Sequence, residues 1–181
     1  MQKHHLNEGY VHVITGDGPG KSTSAYGLAI RALGNGLKVC IIQFMKRNAL
    51  QKGCGEIKFF KRQKNIIVRQ FGTNTFLEKG KISDEDVNLA QKGMEYAKKQ
   101  IMSSKFDLMI LDEINVAMDF KLVRMEDIVT LIKSKPKNLE LILTGRNAPK
   151  EIIELADYVV VINAIKHPFE KGVQARKGIE Y

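Results

Sequence analysis

Residues 16–23 read Gly-Asp-Gly-Pro-Gly-Lys-Ser-Thr, a run that combines three glycines, one lysine and two hydroxyls. Gly16, Gly18 and Gly20 permit positive φ and close backbone approach, so successive N–H groups can point at phosphate oxygens near a helix N-terminus. Lys21 would add a point charge, and the Ser22 hydroxyl could ligate Mg²⁺. The spacing departs from the usual phosphate loop by one residue. Thr15 stands where the first glycine normally falls, and the first glycine is Gly16. Two chemistries remain open at this point: nucleotide hydrolysis with a tolerated substitution, or a shorter loop that holds a triphosphate for another reaction.

Two further stretches carry polar groups on the ends of apolar runs. "LMILDE" delivers Asp112 and Glu113 to the carboxyl end of a buried strand, where an acid can meet a metal or its water shell. "LTGRNAP" ends a strand at Thr144-Gly145 and places Arg146 beyond it, suited to a two-pronged phosphate contact or to a leaving group's charge. Arg31 lies nearly three helical turns past Lys21, so geometry alone makes it an ordinary surface residue.

Strands and helices must bring these pieces together. "YVHVIT" is a β-branched strand ending in glycines, and "KSTSAYGLAIRALGNG" has helical spacing closed by Gly34 and Gly36. "KVCIIQF" suits a parallel strand covered on both faces. "IKFFKR" and "NIIVRQF" are short strand candidates, and residues 72–83 form a long loop of the kind that is more often functional than idle. Ser83 with the following acids opens a helix through about Met102, with Val87, Ala90, Met94 and Ala97 on one face. A strand at "FDLMILDE", a helix at "RMEDIVTLIKSK", a strand at "LELILTG", a short helix at "PKEIIELA" and a last strand at "DYVVVINAI" complete the chain. The alternation predicts a three-layer α/β fold with a mainly parallel sheet, whose ligands bind at the carboxyl ends of the strands.

The chain has 181 residues, enough for one well-buried core; residues 1–8 read as a polar tail and residues 9–181 as a single domain. No apolar run approaches the ~18 residues of a membrane span and the N-terminus has no secretory pattern, so a cytoplasmic protein without a membrane partner is expected. Cys40 falls in an apolar run and Cys54 in a glycine-flanked loop, which argues for two reduced structural thiols. The net charge of +9 is concentrated between Lys38 and Gln70, with nine Lys or Arg against Glu56 alone. That stretch could attract nucleic acid, but adjacent Phe59 and Phe60 in a strand would put one ring in the core, and a solvated strand edge and loop is the favoured reading.

The segments "GDGPGKSTSAYGLAIRALGNG", "VCIIQF", "LDEINVAM", "LILTGRNAPKEIIELAD" and "KHPFEKGVQARKGIEY", in this order, resemble the ATP:corrinoid adenosyltransferases acting on cob(I)yrinic acid a,c-diamide or cob(I)alamin. The resemblance runs from about Gly9 to Tyr181. It implies a RecA-like phosphate-loop fold, a homodimer, and transfer of the 5′-deoxyadenosyl group of ATP to corrinoid cobalt with release of triphosphate. It further implies that ATP sits reversed relative to ordinary phosphate-loop enzymes, and that an electron-donating flavoprotein reductase supplies the reduced corrinoid.

By the same resemblance, ATP would contact Thr15, Gly16, Asp17, Gly18, Pro19, Gly20, Lys21, Ser22, Thr23, Arg31 and Arg146. Lys21, Glu113 and Arg146 would be catalytic. Ser22 and Glu113, rather than Asp112, would hold Mg²⁺ or Mn²⁺. Family members carry a Phe-Thr-Trp aromatic pair after the third strand, where this chain has Thr75, Phe76 and Leu77. Phe76 and Leu77 could supply the apolar contact to the corrinoid, and His167 matches a family position that could touch ligand. The competing expectations are an ordinary phosphate-loop ATPase or kinase, releasing orthophosphate or transferring the γ-phosphoryl group, and a non-catalytic nucleotide-, corrinoid- or nucleic-acid-binding module.

Overall fold

The structure, a computed structural model, describes residues 5–45, 54–73 and 77–180. β1 (Val11–Thr15) runs through the glycine loop into α1 (Lys21–Gly34). Then come β2 (Val39–Phe44), α2 (Gly55–Phe60), β3 (Ile66–Phe71), α3 (Asp84–Met102) and β4 (Leu108–Asp112). The short α4 (Ile114–Asp119) and α5 (Met125–Ser134) lead to β5 (Glu140–Thr144), α6 (Lys150–Glu154) and β6 (Tyr158–Val161).

The described strands form one sheet in the order β3-β2-β4-β5-β1-β6, and the pairings are parallel. Helical crossovers cover both faces, which is why all six residues of β2 are buried. Alternation along each strand sorts its side chains between two layers. On one face Ile14, Ile41, Ile110 and Ile142 pack with Ala25, Tyr26 and Ala29 of α1. On the other, Val13, Ile42, Leu111 and Leu143 pack with Met94, Ile101, Ile128 and Ile152. No helix among the described residues is long and apolar enough to cross a membrane.

Four elements differ from the sequence reading. The expected strand at "IKFFKR" is α2: Ile57 and Phe60, three apart, are buried while Phe59 is exposed, so the apolar period is helical. The Phe60 ring meets Tyr26 edge-on at 5.6 Å, and this tertiary contact overrides the β propensity of adjacent aromatics. Cys54 lies outside the helix, as expected, and is the N-cap residue of α2. Val87 is exposed rather than part of the inner face of α3, which is formed by Ala90, Gly93, Met94, Ala97 and Ile101. β6 is shorter than its apolar run, lies at the sheet edge and exposes all four residues; α4 follows the acids without a break. His5 is pinned by its Nδ1 to Asp107 Oδ1 at 2.7 Å.

Candidate active site

The carboxyl ends of β1, β4 and β5 place the three motifs on one edge of the sheet. Parallel register fixes this: Ile14 lies opposite Thr144, and Leu111 opposite Leu143. The glycine loop is braced from the β6 side. Gly18 N–H donates to the Ile162 carbonyl, and Ile162 N–H donates to Thr15, both at 2.8 Å. Gly16 has φ +98, and a Cβ there would lie 2.4 Å from the Ile162 carbonyl oxygen, so the loop conformation excludes any larger residue at this position.

Gly20, at φ 107, starts α1 with no side-chain cap and no acid in the first turn. The first N–H groups of a 14-residue helix therefore face the loop with their partial positive charge, and the first turn carries no acid of its own. Lys21 is buried and its Nζ donates to the Gly18 carbonyl at 2.7 Å, which folds the ammonium over the loop. Asp17 and Pro19 are exposed, as is Thr23 on the first turn. Arg146 reaches across from β5, with Nε 3.8 Å from Asp17 Oδ1 and Nη2 donating to the Asp17 carbonyl at 3.4 Å. Both side chains are largely exposed, so this pair contributes little to stability and leaves the guanidinium able to turn toward an anion.

Asp112 is fully buried at the end of β4. Its Oδ1 accepts the hydroxyls of Ser22 and Thr144, each at 2.7 Å. Its Oδ2 accepts Tyr26 O–H at 2.8 Å and Gln43 Nε2–H at 3.0 Å. These donors fill the lone-pair directions of the carboxylate and offset the cost of burying it. Burial, reinforced by the Asp112 charge and hydrogen bond, pushes the Tyr26 phenol far above its ordinary range, so it stays a proton donor. The next residue, Glu113, has left-handed φ 62, and its N–H donates to Thr144 Oγ1 at 3.1 Å. That conformation turns the chain sharply out of β4 and leaves Glu113 half-buried beside the loop edge.

Not every expected residue gathers here. Arg31 is exposed and lines a cavity of about 420 Å³ with Leu28, Leu108 and Ile142, at the amino ends of the strands. Within one chain it is not brought to the loop. Leu77 is buried in the core on the α3 face, where it anchors the loop after β3. Thr75 and Phe76 lie outside the described residues. His167 caps a 3₁₀ turn (Pro168–Lys171) by accepting Phe169 N–H at 3.1 Å. Tyr26, Gln43, Thr144 and Asn115, whose Nδ2 donates to Gly145 O at 3.2 Å, were not singled out as site residues by sequence reasoning. Gln43 offered one signal, as the polar residue inside the apolar run "VCIIQF".

The donor chemistry suits a hard cation. The Ser22 hydroxyl and the Glu113 carboxylate beside the glycine loop, with Asp112 orienting the hydroxyl, fit Mg²⁺, which takes oxygen ligands and commonly completes its shell with water and substrate phosphates. Among the described residues no group of three or more His, Cys, Asp or Glu is arranged to hold a metal ion by itself.

Fold and site together define a mainly parallel six-stranded α/β protein with a glycine loop at the carboxyl edge of its sheet. A similar fold is seen in a KaiC-like protein from Pyrococcus horikoshii, with TM-score 0.55 and 16% identity, over 90% of this chain and 76% of that one. The chain belongs to the ATP:corrinoid adenosyltransferase BtuR/CobO/CobP family, which it matches over residues 7–181. Similar proteins include corrinoid adenosyltransferases of a Sinorhizobium species (32% identical, 96% of this chain and 81% of the relative) and Pseudomonas aeruginosa (32%, 96% and 84%). The corrinoid adenosyltransferase of Escherichia coli is 31% identical over 96% of this chain and 86% of its own length.

Proposed function

We propose that the chain transfers the 5′-deoxyadenosyl group of ATP to the Co(I) centre of a corrinoid, cob(I)yrinic acid a,c-diamide or cob(I)alamin, and releases triphosphate. The observation that carries this reading is a glycine loop that opens a long helix and is flanked by Lys21, Ser22 and Arg146, in a chain of this family. Co(I) is itself a strong nucleophile. It attacks C5′, the cobalt–carbon bond forms, the C5′–O bond breaks, and its electron pair leaves with the triphosphate. The protein has two tasks: to align C5′ with cobalt and to stabilise charge on the departing oxygen.

The residues of the loop edge fit the second task. Backbone N–H groups from Gly16 to Ser22 and the α1 dipole would receive phosphate oxygens, and Lys21 would exchange the Gly18 carbonyl for them. Arg146, across the loop from Asp17, would close over the anion from the β5 side. Mg²⁺ or Mn²⁺ would supply further charge neutralisation, held by Ser22 and Glu113 with Asp112 fixing the Ser22 proton. Asp17 would lie near the nucleoside in a reversed ATP. Phe76 would border the corrinoid on the loop that Leu77 anchors in the core, with His167 a lesser candidate, and Arg31 would meet nucleotide only through a neighbouring copy.

In this reading residues 9–181 act as one RecA-like nucleotide-binding domain, assembled as a homodimer and served by a flavoprotein reductase. A cytoplasmic setting fits a reaction that consumes ATP. Incubation with ATP, Mg²⁺ and chemically reduced cobalamin should give the spectrum of a cobalt–carbon bond and one triphosphate per turnover. Orthophosphate release independent of corrinoid would favour an ordinary ATPase. Failure to form both adenosylated product and triphosphate would overturn the proposal.

A further inference from the structure

The last α1-facing position on each of four neighbouring strands is polar: Gln70 on β3, Gln43 on β2, Asp112 on β4 and Thr144 on β5. Register places Gln43 opposite both Gln70 and Asp112. Beneath this row the same face is apolar, with Val39, Ile41, Leu108, Ile110 and Ile142 buried against α1. A polar row above such a core costs free energy unless each member is satisfied.

Gln43 is 1% exposed, and both ends of its amide are hydrogen-bonded. Nε2 donates to Tyr26 Oη at 2.6 Å and to Asp112 Oδ2 at 3.0 Å, while Oε1 accepts Gln70 Nε2–H at 2.8 Å. Reversing the amide would set its oxygen against the Asp112 carboxylate, so the orientation is fixed. Gln43 and Tyr26 occupy Oδ2 and thereby turn Oδ1 toward Ser22 and Thr144. The Ser22 proton is committed to Asp112, and its oxygen lone pairs are left for a cation.

We infer that Gln43 is a positioning residue that orients Asp112 and hence the Ser22 hydroxyl, and that Gln70 extends this row to the strand feeding the loop after β3. Gln70 lies two residues before buried Gly72, where that loop begins, and Leu77 anchors its far side in the core. The row thus reaches the start of the loop after β3, the loop that, under the functional reading above, borders the corrinoid. The Gln70 half rests on that reading; the Gln43 half rests on the phosphate site alone.

The test compares Gln43→Met and Gln70→Met in the full chain. ATP affinity is measured calorimetrically with Mg²⁺ and with EDTA, together with KM for chemically reduced cobalamin and the melting temperature. Gln43→Met should weaken ATP binding on the order of tenfold with Mg²⁺, as for other loosened outer-shell partners of a metal site, and change it less than about twofold in EDTA. Gln70→Met should keep Mg²⁺–ATP affinity and raise the cobalamin KM several-fold. Equal weakening of ATP in both media, or no change in either, overturns the role of Gln43; an unchanged cobalamin KM overturns that of Gln70. If Gln43→Met does not fold, Tyr26→Phe removes the other donor from the same oxygen at constant ring volume and must show the same Mg²⁺-selective loss. A wild type that binds Mg²⁺–ATP but never forms adenosylcobalamin removes the functional reading and the Gln70 half with it, while the two ATP titrations still decide Gln43.

Discussion

Replacing Gly16 by alanine tests whether the chain leaving β6 braces the phosphate loop. Gly20 is the internal control. Both have left-handed φ, +98 and +107, but a Cβ on Gly20 meets nothing within 4 Å whereas one on Gly16 lies 2.4 Å from Ile162 O and 2.9 Å from Ile162 N. Backbone strain alone should cost about 1–2 kcal/mol, reduced by up to ~1 kcal/mol because alanine also restricts the unfolded chain. Gly16→Ala must in addition push Ile162 away, an overpacking cost of about 1–3 kcal/mol. Gly20→Ala should therefore destabilise by roughly 1 kcal/mol and Gly16→Ala by roughly 2–4 kcal/mol. For a chain of this size that corresponds to melting-temperature losses of about 2–4 °C and about 4–16 °C, read by calorimetry at constant scan rate. ATP affinity should fall further in Gly16→Ala, because the Gly18 N–H to Ile162 bond shares the displaced segment. If Gly16→Ala melts no lower than Gly20→Ala, the β6 exit does not brace the loop.

Lys21→Ala should lower adenosyl transfer by roughly 100-fold or more, the usual effect of removing one group that stabilises a developing anion, with melting within a few degrees of wild type; wild-type rates would refute its role. Glu113→Ala should likewise abolish transfer while circular dichroism reports an intact fold. Burial pushes the Cys40 thiol up to about 12, so iodoacetamide at about pH 8 should modify the folded protein at Cys54 and spare Cys40, as peptide mapping would show. Burial would raise the Asp86 carboxyl, but hydrogen bonds from the Ser83 hydroxyl and N–H and the Thr73 hydroxyl outweigh it and hold the group below its ordinary value. This stabilisation is present above the unfolded carboxyl range and disappears as pH falls through the lower folded value. Asp86→Asn should therefore be less stable than wild type at neutral pH and converge with it below about pH 4 in acid unfolding curves. Ser83→Ala, which removes the capping box of α3, should cost about 1 kcal/mol in urea unfolding.

The parallel α/β class and the order of most elements were legible because covered strands and one-sided helices write different periods into the chain. β1, β2, β4 and β5 are buried runs, and α1 and α5 show helical spacing with recognisable stops. The period of α2 was hidden by two adjacent aromatics whose partner, Tyr26, lies 34 residues before Phe60. Exposure of β6 was equally invisible, since "YVVV" has the composition of a covered strand and only its place at the sheet edge leaves it open.

By itself the sequence determined where the glycine loop lies and which groups it offers, because its glycines, Lys21 and Ser22 are adjacent along the chain. It also located the acids of "LMILDE" and the arginine of "LTGRNAP" at strand ends, because apolar runs of that length stop there. Only tertiary structure decided that Asp112, not Glu113, receives the Ser22 proton, since the choice depends on which side of β4 faces α1. It likewise decided that Gln43 and Gln70 join that carboxylate across three strands, because parallel register, which local sequence does not encode, aligns residues 27 and 69 positions apart. Arg31 went the other way: α1 rises along the sheet, and a helix that starts at the phosphate edge must carry its later turns to the opposite end.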